Sequence, residues 1–295
     1  MTAADAIAPD RLVTSVDERR AALVDVIRSA KTRITLSLFR CNDDEILDEL
    51  AAAAARGVAV DVLVTSRAKG GRKRIRKLWR ALADTGATLH AYTDPVVKYH
   101  AKYLVADEGP AVVASLNLTR KCFRKTCDAL VITSDPGVVA DLRRLWAADR
   151  DRQPLPDALD DRLIVGPERA RRQFTSLIGR ARASIRLIDA KLSDPDLVSL
   201  LNARRAEGLT VEIFSGKRVG GLKSHGKVML IDDETAVVGS LALAALSLDF
   251  RREVAIVVHD QPAVAQAAEL FRTAREANVD GAPPAAVAQE SPPSG

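Results

Sequence analysis

The chain has 295 residues and four histidines. Two of them, His100 and His225, stand in the same company. Each is followed by a lysine two places on (Lys102, Lys227) and an aspartate seven places on (Asp107, Asp232). Along an extended strand, residues i and i+2 project from one face. Each imidazole and its lysine therefore point the same way, across a small residue, Ala101 or Gly226. An imidazole can attack an electrophile or carry a proton. A fixed ammonium beside it steadies an anionic centre. Further on, Ser115 matches Ser240 and Asp128 matches Glu253, while Asn117 has Ala242 as its counterpart. One such motif is only a hypothesis; two, in corresponding places, describe a site.

The elements that must position these groups are themselves duplicated. A helical pattern, "DERRAALVDVIRSAK", runs into the strand-like "RITLSLF"; later "ERARRQFTSLIGRAR" runs into "SIRLIDA". An amphipathic helix follows each, ending at Gly57 or Gly208 as a left-handed cap, and then a strand, "VAVDVLV" or "LTVEIFS". Ile34 and Ile185, like Gly57 and Gly208, are 151 positions apart, whereas His100 and His225 are 125 apart. The second half thus lacks about 26 residues, the basic helix "GGRKRIRKLWRALADTG" and the strand "TLHAYT". Each half closes with a strand and a helix. Strands alternating with helices predict an α/β fold with a mixed sheet covered on both faces. The expected boundaries are a loose start at 1–10, a first lobe at 11–150, a Pro-containing linker at 151–161, a second lobe at 162–278 and a low-complexity tail at 279–295.

With both motifs in view, the sequence resembles the phospholipase D superfamily, whose mark is a pair of HxKxxxxD motifs with a Gly-Ser-x-Asn-like turn. The resemblance runs from about residue 12 to residue 277. It implies two α/β lobes related by a pseudo-twofold axis, with one active site at their interface. It also implies phosphodiester cleavage or exchange through a phosphohistidine, with no metal and no cofactor. A phosphodiester is an anion, so Lys102 and Lys227, with Ser115, Asn117 and Ser240 as donors, suit its non-bridging oxygens. Asp128 and Glu253 stand where the family has an acid that fixes a histidine tautomer and stabilises its cation. By the same resemblance His100 is the nucleophile and His225 the acid/base. Ala242 departs from the expected asparagine, and Asp128 from the commoner glutamate.

Asp107 and Asp232 have two readings: support of catalysis, or closure of the turn after a strand. His90 and His259 lack companions and read as packed side chains. Cys41, Cys122 and Cys127 form no CxxC pair and no recognisable zinc spacing, so a reduced, cytoplasmic setting is expected. No signal peptide or spanning segment is evident, so contact with a membrane would be peripheral. A net charge of +5 favours anionic partners. The dense run Arg67, Lys69, Arg72, Lys73, Arg74, Arg76 and Lys77 is either a solvated helix face or a rim for acidic head groups or nucleic acid. Three functions follow: a phospholipase D-type enzyme acting on phospholipid head groups by hydrolysis or transfer, a metal-independent nuclease, or a phosphate-binding protein without turnover.

Overall fold

The structure, a computed structural model, describes residues 9–66 and 72–279. Of the expected loose ends at 1–10 and 279–295, residues 1–8 and 280–295 lie outside the described residues, as do Arg67 and Lys69. The first lobe runs β1 (Arg11–Val13), α1 (Arg19–Ser29), β2 (Arg33–Leu38), α2 (Asp44–Ala55), β3 (Ala59–Thr65), α3 (Arg72–Ala83) and β4 (Thr88–Tyr92). It continues with β5 (Lys98–Tyr99), β6 (Tyr103–Ala106), β7 (Ala111–Ala114), α4 (Arg120–Arg124), β8 (Thr126–Cys127), β9 (Leu130–Thr133) and α5 (Pro136–Asp151). The second lobe begins β10 (Leu163–Gly166), α6 (Ala170–Arg180), β11 (Ser184–Asp189), α7 (Pro195–Ala206) and β12 (Thr210–Phe214). It ends β13 (Arg218–Val219), β14 (Leu222–Ser224), β15 (Lys227–Ile231), β16 (Thr235–Gly239), α8 (Ala245–Phe250), β17 (Arg251–Val258) and α9 (Gln261–Val279).

Local signals set these boundaries. Asp135 and Asp194 each cap a helix with the side chain and are followed by proline at the first helical position. Gly57 and Gly208 end their helices at φ of 86° and 98°, as the cap reading requires. The first sheet has the order β1-β9-β7-β6-β2-β3-β4, and the second β10-β17-β16-β15-β11-β12. Element by element the second repeats the first, except that β13 stands in place of α3 and β4, and β17 spans the places of both β8 and β9. In both sheets the strand after the first helix is parallel to the next strand and antiparallel to the strand that begins at the motif lysine (β15) or just after it (β6).

Three apolar cores result. One lies wholly in the first lobe, under α1 and α2, and one wholly in the second, under α6 and α7. A third joins the lobes: Tyr99, Tyr103 and Trp146 pack with Val228, Val254 and Phe271, roofed by α5 and α9. The linker is therefore held down rather than free, with Leu159 buried and Asp160 N donating to Asp141 Oδ2 at 2.6 Å. The expected loose start likewise ends earlier than residue 10. Asp10 is buried, its N–H donates to Asp260 Oδ2 at 2.9 Å, and its carboxylate pairs with Arg162.

Two short pairings interlock the lobes. β5 runs parallel to the start of β17, with Lys98 opposite Arg251 and Tyr99 opposite Arg252. Under the 125-residue relation its counterpart is β14 beside β8, with Lys223 opposite Thr126 and Ser224 opposite Cys127. Each segment leading into a histidine is thus stitched to the segment leading into the other lobe's acid. Gly226 is where the backbones meet: a Cβ there would lie 2.5 Å from Cys127 O and 3.0 Å from Asp128 Cα. Gly226→Ala is expected to cost roughly 1–3 kcal/mol, because the methyl meets a backbone that cannot yield alone. Chemical denaturation checks this; an unchanged midpoint would mean that the lobes do not approach so closely.

Candidate active site

The interlock puts both imidazoles at the lobe junction, and each one faces an acid from the other lobe. His225 Nδ1 lies 2.9 Å from Asp128 Oδ1 and 3.0 Å from Oδ2. His100 Nδ1 lies 2.9 Å from Glu253 Oε1. The two halves are not equally finished. Asp128 also accepts from Ser115 Oγ at 2.7 Å and Thr126 Oγ1 at 2.5 Å. Glu253 is fully buried, and its contact with His100 is off the hydrogen-bond line. Neither Glu253 oxygen has a hydrogen-bond partner among the described residues.

Lys102 and Lys227 each fold back to donate to the carbonyl oxygen of their own histidine, Lys102 at 2.6 Å. Lys102 Nζ also stands 3.1 Å from His100 Nδ1. Burial, with this charge alongside, pushes the His100 imidazole down to about 3, so it is neutral at ordinary pH. Burial likewise pushes Lys102 down to about 7. Burial works the other way on the acids. His100, Lys102 and Lys227 nevertheless hold Glu253 below its ordinary value, as bonding from His225 and Thr126, with the Lys227 charge, does for Asp128. Nδ1 of each ring faces a carboxylate, which leaves Nε2 for the substrate.

Several expectations change on contact with the geometry. Ser115 and Ser240 do not face a substrate. Ser115 donates to Asp128 and accepts from Ala129 N at 3.0 Å, while Ser240 is spent on Val254 N and O at 3.2 and 3.3 Å. Both hydroxyls are committed because the serine at the end of β7 or β16 turns into the core, toward the neighbouring strand. Asn117 is buried, with Oδ1 unpartnered among the described residues, whereas Ala242 N donates to Ser247 Oγ at 3.0 Å.

Of the two readings of the aspartates, the structure supports turn closure. Asp107, at φ 46°, accepts from the N–H groups of Lys31, Thr32 and Arg33 at 2.7–2.8 Å. Asp232, at φ 55°, accepts from those of Arg182, Ala183 and Ser184. Both lie at the far ends of β6 and β15 from the histidines. Burial pulls Asp107 up, but these backbone bonds overcome it and hold the group at about 2. A carboxyl whose folded value is depressed stabilises the protein above its unfolded value and loses that contribution as pH falls through the folded one. Asp107→Asn is accordingly expected to lower stability by roughly 1–3 kcal/mol at pH 7. The gap should close as the pH falls from about 4 towards 2, and a mutant deficit that is flat with pH would contradict this role.

Other contributors carried no sequence signal. The Phe39 ring lies 4.5 Å from the His100 ring, and its counterpart in the repeat is Ala190. Arg19, fully buried, donates to the carbonyls of Phe123, Thr126 and Asp128 and so fixes the segment that carries Asp128. Arg252 does similar work beside Glu253, bonding Asp149, Gly166 O and Glu168. Neither arginine has an arginine at its repeat position. His90 and His259 lie elsewhere, paired with Asp61 and Thr235. The cysteines are free and buried, and burial takes the Cys41 and Cys127 thiols up to about 12.

Among the described residues, one group has ligand atoms close enough for a metal: Cys122, Asp128 and His225, all within 4.8 Å of one another. Folding assembles this set, so no spacing could reveal it. The donor set does not suit an activating metal. His225 Nδ1 and both Asp128 oxygens are already hydrogen-bonded to each other or to hydroxyls, and a metal would take the proton that orients His225.

On α3, Arg72, Lys73, Arg74, Arg76 and Lys77 are surface residues while Leu78 and Leu82 pack inward. No helix among the described residues is long and apolar enough to cross a membrane.

The sequence matches the family described as "Cardiolipin synthase, PLD-like domain" over residues 23–149 and 211–275. Cardiolipin synthase A of Pseudomonas aeruginosa is 27% identical over 127 residues, which make up 43% of this chain and 26% of that protein. The chain spans about a quarter of the length of the curated relatives it matches. Among solved structures, polyphosphate kinase from Porphyromonas gingivalis has a TM-score of 0.73 at 20% identity, covering 90% of this chain and 47% of that one. Phosphatidylserine synthase from Haemophilus influenzae Rd KW20 has a TM-score of 0.70 at 14% identity, covering 90% and 86%. These two likenesses show the fold.

Proposed function

The chain belongs to the cardiolipin synthase-type PLD-like domain family within the phospholipase D superfamily, and from that premise we propose that it is a phosphodiesterase or phosphodiester transferase acting through a phosphohistidine. The observation that carries this reading is the crossed pairing of His100 with Glu253 and His225 with Asp128. It gives two imidazoles at one junction two different environments, which is what an acid and a nucleophile require.

Neutral His100 attacks through Nε2, forming a P–N bond as the bond from phosphorus to the leaving oxygen breaks. His225, protonated and steadied by Asp128, gives that oxygen its proton. Lys102 and Lys227 swing from the carbonyls they occupy to the non-bridging oxygens, with the Asn117 amide as a further donor. Water or an alcohol then loses its proton to His225 and attacks phosphorus, and the P–N bond breaks to restore His100. Ala242 leaves the second half without a matching amide, so the phosphate is gripped unevenly.

The substrate reading is a phospholipid head group, supported by the cardiolipin synthase relative and by the basic surface. The nuclease reading uses the same site, with α3 as its backbone contact. A panel of phosphatidylcholine, phosphatidylethanolamine and phosphatidylglycerol vesicles, single-stranded DNA and duplex DNA separates them. Head-group release that disappears in His100→Ala is the expected result. Cutting of DNA alone would move the substrate to nucleic acid. Diester binding without turnover would identify a phosphate-binding protein.

A further inference from the structure

The described residues expose three large apolar side chains: Val96 (68% exposed), Leu246 (44%) and Phe250 (50%). They come from distant parts of the sequence but share one place. Leu246 and Phe250 are one turn apart on α8 and so lie on one helix face. Phe250 immediately precedes Arg251, the strand partner of Lys98, and Val96 stands two residues before Lys98. All three border the β5–β17 pairing that delivers His100 and Glu253.

The 125-residue relation shows what occupies the opposite border. There α4 replaces α8, Lys121 stands for Leu246, and Lys125 stands for Phe250. Lys121, Arg124 and Lys125 are exposed and make no ion pair among the described residues, and the neighbouring Lys217, Arg218 and Lys223 are exposed too. The pseudo-twofold axis thus carries an apolar lip on the His100 side into a cationic lip on the His225 side. Single exposed apolar residues are ordinary; three beside the pairing that delivers His100 and Glu253, with three exposed cations at the corresponding place beside His225, are not.

We infer that these two lips form a docking surface for an anionic lipid bilayer, with the apolar lip entering the acyl boundary and the cationic lip lying on lipid phosphates. This rests on the phospholipid reading above and adds the partner surface to it. A bilayer uses both lips at once. A nucleic acid backbone would engage the cationic lip and leave Val96, Leu246 and Phe250 in water.

The test is co-sedimentation with phosphatidylcholine vesicles containing either no phosphatidylglycerol or about one-third of it. Wild type is expected to bind the anionic vesicles. The triple variant Val96→Ser, Leu246→Ser, Phe250→Ser should bind them about tenfold more weakly or worse. Lys121→Gln with Lys125→Gln should weaken binding and flatten its salt dependence. Both should keep wild-type turnover of soluble bis(p-nitrophenyl) phosphate, and Phe250→Trp should shift its emission to the blue on anionic vesicles.

Wild type that stays in the supernatant, or a triple variant that binds like wild type, would overturn the docking surface while soluble turnover leaves the chemistry standing. Conversely, vesicle binding lost in the triple variant, in a protein that turns over no diester, supports the surface and removes the catalytic reading. Binding to single-stranded DNA that needs Lys121 and Lys125 but not the apolar trio would assign the cationic lip to nucleic acid and overturn the proposal.

Discussion

His100→Ala is expected to reduce kcat by roughly 10⁴-fold or more on any diester the protein accepts, with little change in KM. The His100 imidazole is neutral and its Nε2 lies 3.4 Å from Lys102 Nζ, beside the charge that would steady a bound phosphate, and its removal takes away the atom that forms the P–N bond. His225→Ala should behave differently according to leaving group. With a natural alkoxide, departure needs the His225 proton and turnover stops. With p-nitrophenolate, which leaves without a proton, the first step survives and a burst of product precedes a stall. Equal loss on both substrates would contradict the assigned division of labour.

The second large effect is expected at Asp128. Its two oxygens receive His225 Nδ1, Ser115 Oγ and Thr126 Oγ1, all within 3.0 Å, and it is completely buried. Asp128→Asn keeps the shape but turns one acceptor into a donor, so that donor faces donor and the His225 ring is pressed toward the wrong tautomer. The counter-charge to its cation also goes. A fall in kcat of roughly 10³–10⁴ is expected, by the logic that governs a histidine-orienting aspartate in a catalytic triad. Because the effect acts through His225, the two substitutions should not add: in a His225→Ala background, Asp128→Asn should cost almost nothing further. Additive losses would mean that Asp128 serves the site by another route.

Much of this arrangement was readable before folding, and the limits are instructive. The 151-residue repeat marks the β2–α2–β3 and β11–α7–β12 units because helix caps, strand periods and apolar faces are local properties. The 125-residue repeat finds both His-Lys pairs and both acids. It does not say which acid meets which ring. That depends on β5, β8 and β14, strands of two or three residues that are too short for any periodicity, paired between chain segments far apart.

Asp107 and Asp232 share the motif's regular spacing with the lysines, yet the extended chain carries them to the opposite end of their strands. Spacing alone reads conserved geometry in the repeat as conserved chemistry. Ser115 is similar: its place after β7 is clear, but whether its hydroxyl meets substrate or Asp128 is decided by the neighbouring strand. Arg19 is the extreme case, a charged residue on the buried side of α1 whose partners are backbone carbonyls more than a hundred residues away.

The central claim is that one phosphate centre is handled by two imidazoles from opposite lobes, with His100 forming the bond. The most direct measurement is rapid acid-free quenching of a reaction with a ³²P-labelled p-nitrophenyl diester, whose leaving group needs no proton, in the His225→Ala variant, followed by peptide mapping of the label. The account predicts a base-stable, acid-labile adduct on the peptide containing His100 and none on any other. Label on a different residue, or turnover with no adduct at any time point, would contradict it.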